Sequence, residues 1–85
     1  MRVETVPLNN QIRVAAIFDR GNVKPVWFET QGERVSVQKV CYSWSCMEGA
    51  ATILNFAVWD GNKTFELAYN VTAGRWSLRG KKVTA

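Results

Sequence analysis

The chain has 85 residues, 47% of them hydrophobic and 12% aromatic, which is the length of one domain and too apolar for a disordered tail. Eleven Lys and Arg against seven Asp and Glu give a net charge of +4, which permits contact with nucleic acid or an anionic surface without demanding it. Histidine is absent, and this excludes Ser-His-Asp and Cys-His nucleophile pairs, histidine proton relays and histidine metal sites.

Residues 1–10 hold Pro7 and the start of a polar run, and they read as an arm or an added edge strand. They lack the apolar stretch of a secretory signal, and no run in the chain has the length of a membrane span, so a cytoplasmic setting with no membrane partner is expected. Gln11 to Phe18 is the first strand, with Ile12, Val14, Ala16 and Phe18 on one face. Asp19-Arg20-Gly21-Asn22 is a turn. Val23 to Thr30 follows, with Val26 and Phe28 on one face and Trp27 and Glu29 on the other; Pro25 marks an edge strand or an irregular start. After the turn Gln31-Gly32, Glu33 to Val37 resumes alternation, with Val35 and Val37 inward.

Val37, Val40, Cys41 and Trp44 sit at helix-like spacings, but the strand pattern extends through a bulge to about Tyr42. Ser45 to Ala50 reads as a loop. Thr52 to Trp59 is the strongest strand, with Leu54, Phe56 and Val58 on one face. Asp60-Gly61-Asn62-Lys63 is the clearest hairpin turn. Thr64 to Asn70 returns with Phe65, Leu67 and Tyr69 inward, and Arg75 to Arg79 closes with Trp76 and Leu78 inward. The pattern predicts an all-β fold: a six-stranded antiparallel meander over residues 11–79, curled into a small SH3-like barrel or sandwich. An open sheet that pairs in a dimer is the second architecture, and residues 80–85 form a basic tail.

The remaining chemistry is thin. Asp19 and Asp60 sit beside glycines as turn residues, and Glu29, Glu33 and Glu66 fall on outward faces. Cys41 and Cys46 are expected as reduced thiols, with a local disulfide as the alternative, and two cysteines cannot supply the four ligands of a structural zinc site. The sequence therefore predicts no catalytic residue, no metal, no cofactor and no enzyme activity.

Four tryptophans are many for this length. Trp27 and Trp59 fall on faces that the main apolar stripes do not occupy. They fill a second core or form a patch that binds a partner. The candidate binding residues are Trp27 and Trp59 with Arg13, Arg34, Arg75, Arg79, Lys81 and Lys82. A protein partner or self-association, including a homodimer, is expected ahead of nucleic acid, and the route is strand addition at the Val23–Thr30 edge or the tryptophan patch. The alternative is a nucleic-acid-binding small barrel that stacks bases on Trp and guides the backbone with Arg and Lys.

Val14-Ala15-Ala16-Ile17-Phe18-Asp19, Pro25 with Phe28, Val37 with Val40, Phe65-Glu66-Leu67 and Gly74-Arg75-Trp76 together resemble short bacterial β-domain proteins that carry no assigned activity. The resemblance covers about residues 12–78 and implies an SH3-like fold and a bacterial cytosolic setting, with no catalytic role.

Overall fold

In the computed structural model residues 10–83 are described, with side chains from 12 to 80. The chain is all-β and antiparallel. Its strands are β1 (Asn10–Gln11), β2 (Arg13–Asp19), β3 (Asn22–Thr30), β4 (Glu33–Ser36), β5 (Lys39–Glu48), β6 (Ala51–Trp59), β7 (Lys63–Asn70) and β8 (Arg75–Val83). One sheet has the order β1-β8-β7-β6-β5 and the other β2-β3-β4.

Of the expected six-stranded meander, curled into a barrel or sandwich, the strand count and the closed barrel change: the described residues form two open sheets, with seven strands of four or more residues and the two-residue β1. The reason lies at two corners. Val37 N–H donates to Val26 O at 2.9 Å, within the smaller sheet, while the next amide, Gln38 N–H, donates to Trp59 O at 2.8 Å in the larger one. Successive amides thus serve different sheets, and the run from Glu33 divides into β4 and β5. Ile12 stands at the other corner, its N–H donating to Trp76 O at 3.4 Å before β2 joins β3. The ladder is interrupted at both corners, so no continuous sheet closes.

Alternation puts the predicted stripes inward. Leu54, Phe56 and Val58 on β6 stand opposite Tyr69, Leu67 and Phe65 on β7. Phe28 enters this layer from β3 with no exposed surface and meets Phe65 edge-on, the ring centroids 5.1 Å apart. Trp76 extends the aromatic layer toward Tyr69 at 4.7 Å and Phe56 at 5.7 Å.

Four sequence expectations change. Val23–Thr30 is not an edge, because β3 is the central strand between β2 and β4. Ala15 faces Trp27 while Ala16 faces Pro25, so Val26 is the extra residue of a bulge and is exposed, and Pro25 takes the buried position instead. The bulge is where a residue with no N–H costs the ladder least. Ser45–Ala50 is not a loop: β5 runs straight to Glu48, with the bulge at Cys41 and only Gly49 and Ala50 turning into β6. β8 continues to Val83, past the strand end expected at Arg79 and into the stretch expected as a tail.

The turns follow their residues. Arg20-Gly21 and Gln31-Gly32 both have positive φ at each position, the geometry that matches hairpin twist. Asp60 Oδ1 accepts the N–H of Asn62 at 2.8 Å and of Lys63 at 2.6 Å. The Lys63 hydrogen bond, partly opposed by desolvation and aided by the Asn62 N–H, holds its carboxyl below 3.8. A lowered folded pKa means that this contribution is complete above the ordinary value and is lost as pH falls through the folded one. Asp60→Ala should therefore cost about 1 kcal/mol at pH 7. Thermal melts of variant and parent should converge as the pH falls below 3.8.

Candidate interaction surface

The predicted binding residues do not form one patch. Trp27 lies half-buried on the outer face of the three-stranded sheet, where the Arg34 guanidinium covers its ring at 3.8 Å. Glu29 bridges Arg34 at 2.9 Å and Arg13 at 3.5 Å. One carboxylate thus serves two of the expected cations. Trp59 is half-buried on β6 in the other sheet, opposite Lys39 and Thr64. Arg75 is exposed on β8 opposite Asn70. Lys81 and Lys82 pair through β8 with Phe65 and Thr64, and their side chains lie outside the described residues.

Arg79 has a more specific place. Glu66 faces Gly80 and Leu67 faces Leu78, so Arg79 is the extra residue of a bulge in β8. Its guanidinium grips Glu48 on β5 with two hydrogen bonds of 2.9 and 3.1 Å, and its Nε donates to Ser77 Oγ at 3.4 Å. β7 and β6 lie between β8 and β5, so the pair straps the outer face of the larger sheet. The Arg79 hydrogen bonds hold Glu48 below the ordinary carboxylate range, against desolvation, and Glu48 raises Arg79 in turn. Among the described residues no second sheet covers this face, yet Ile53 is 1% exposed, Ala68 1% and Asn55 4%. Asn55 Nδ2 donates to Trp44 O at 3.5 Å and to Cys46 Sγ at 3.4 Å, which ties β6 to β5 beneath the strap.

Among the described residues β5 is the longest strand, stands at the edge of its sheet and pairs only with β6. Every residue from Cys41 to Glu48 is exposed, with Tyr42 at 68%, Met47 at 62% and Trp44 at 38%. The Tyr42 and Trp44 rings pack against each other with centroids 5.5 Å apart. Cys41 and Cys46 are both free and exposed. From Cys41 to Met47 there is neither a charge nor a proline. The other sheet's edges are guarded differently: β4 is short and carries Glu33 and Arg34, and β2 begins on Arg13 and ends on Asp19. Soluble proteins usually protect edges by such means. Past Tyr42 the sequence pattern does not mark this strand, because exposure on both faces leaves no apolar alternation. The available signal was the uncharged run Cys41-Tyr42-Ser43-Trp44-Ser45 itself.

Among the described residues no three His, Cys, Asp or Glu side chains gather as a metal site, and no helix is long and apolar enough to cross a membrane. No protein family, curated protein or solved structure matches this chain.

Proposed function

We propose that the chain is a non-catalytic interaction module whose binding element is the free edge of β5, taking an added strand from a protein partner. One observation carries the reading: the longest strand is an edge strand, and it bears two exposed, stacked aromatics and no charged side chain between Cys41 and Met47. An added strand satisfies the open N–H and C=O groups while side-chain contacts select the partner. Ladder hydrogen bonds contribute about 1 kcal/mol each net. Association costs ~4–15 kcal/mol, so backbone pairing alone leaves little surplus. Tyr42 and Trp44 supply the rest, at about 0.5–1.5 kcal/mol per aromatic contact beyond area burial.

The nucleic-acid alternative draws less support. Arg13, Arg34 and Arg79 each spend their charge on a carboxylate, and Trp27 is already covered by Arg34.

Random peptides selected against the folded chain test the edge. Extended binders should perturb tryptophan fluorescence in the parent and lose binding to the Ser43→Lys/Ser45→Lys variant, whose added charges guard the edge. Circular dichroism checks that this variant keeps its strands. Peptides that bind the folded variant as well as the parent would show that β5 is not the binding element.

A further inference from the structure

We infer that the strand added to β5 is β5 of a second copy, antiparallel about a two-fold axis at Trp44. The inference rests on the edge reading above and names its occupant. It follows from which residues share a face. Register with β6 puts Lys39 opposite Trp59, Tyr42 opposite Ala57, Trp44 opposite Asn55, Cys46 opposite Ile53 and Glu48 opposite Ala51, so these five residues share the outer face. Val40, Ser43, Ser45 and Met47 stand opposite Val58, Phe56, Leu54 and Thr52 on the inner face. Antiparallel neighbours must set residues of the same face opposite each other.

With the axis at Trp44, Ser43 meets Ser45 of the second copy and Tyr42 meets Cys46. The bulge at Cys41 then absorbs one residue. Beyond it Val40 meets Met47, and Lys39 meets Glu48 of the second copy. Each pair lies on one face, serine meets serine and Val40 meets Met47 on the inner side, and opposite charges meet at both ends. Without the bulge Lys39 would fall opposite Gly49. An axis at Ser45 would set Tyr42 against Glu48 and leave Lys39 without a carboxylate. An axis at Ser43 would leave Glu48 overhanging. Parallel pairing in the same register would put Lys39 on Lys39. Lys39 makes no ion pair among the described residues, so it is available, while Glu48 is held on the outer face by Arg79. Opposed charges stabilise antiparallel pairs and like charges weaken them.

The register is tested by cross-linking. With Cys41→Ser and Cys46→Ser in the background, Ser43→Cys and Ser45→Cys chains are made separately and oxidised alone or mixed. Opposed antiparallel residues have Cα atoms about 4.5–5.5 Å apart, within disulfide reach. Only the mixture should yield a covalent dimer. Light scattering of the parent should show the mass rising with concentration from 9.6 kDa toward twice that value. Lys39→Glu should weaken association about tenfold, with the difference shrinking in high salt. A mass fixed at the monomer value up to millimolar chain overturns the pairing, as does self-cross-linking of either single variant in place of the mixture. If the chain stays monomeric while selected peptides still bind the β5 edge, the two-fold pairing fails and the edge reading stands. If neither forms, both fall.

Discussion

Phe28→Ala should lower the unfolding free energy by about 3–5 kcal/mol. A domain of this size has only roughly 5–10 kcal/mol in total, so the variant should be partly unfolded at room temperature or melt far below the parent. Phe28 comes from the smaller sheet, has no exposed surface and presses its ring on Phe65 of the larger one. Removing it opens a cavity where the two sheets meet, and the corners at Ile12 and Val37–Gln38 restrict how far the sheets can close over it. The control lies two residues away. Val26 would share the face of Phe28 in an unbroken strand, but the bulge turns it out to 38% exposure. Val26→Ala should therefore cost no more than about 0.5 kcal/mol. Urea unfolding followed by far-ultraviolet circular dichroism measures both. Equal losses would mean that β3 carries no bulge.

The contrast between Val26 and Phe28 also shows where sequence pattern stops. Strands whose two faces differ in burial are legible, as on β6 and β7, where Leu54, Phe56 and Val58 meet Tyr69, Leu67 and Phe65 as alternation predicts. The Asp60 hairpin is legible because its carboxylate chemistry is local. Bulges are less so: Cys41 falls where one is expected, but Val26 and Arg79 do not announce themselves, since the sheets' curvature decides where an extra residue goes. β5 is not legible past Tyr42 for a related reason. An edge strand exposed on both faces has no burial period to display, and Gly49 two residues after Met47 mimics a loop. As for the candidate site, the tryptophans stand out by their number, but parity within each strand does not say that Trp27 and Trp59 belong to different sheets. Arg79 shows in the sequence only as a charge. Its partner, Glu48, lies 31 positions away and is brought to it by the sheet order alone.

Ile53→Ala is the second large expected loss, at about 2–4 kcal/mol. Its face makes the result informative. Ile53 points away from Phe28 and the aromatic layer, onto a side of the sheet that no other sheet among the described residues covers, where a substitution ordinarily costs under about 0.5 kcal/mol. It is nevertheless 1% exposed, between Cys46 on β5 and Asn70 on β7. A large loss would establish a second, smaller core on the outer face. If the Arg79–Glu48 strap closes that core, Arg79→Ala should destabilise too, and the two substitutions together should cost less than their sum, by about 0.5 kcal/mol or more. The strap also makes the face sensitive to acid. Glu48 titrates below its ordinary 4.5 because Arg79 hydrogen-bonds its charged form, so the strap is fully present above that pH and lost as pH falls through the lowered value. Protonation at Glu48 removes the acceptor that Arg79 grips and the charge that Lys39 of a second copy would meet. The outer core and the β5 pairing should therefore loosen together on acidification, whereas the Phe28 layer, with no carboxylate in it, should not.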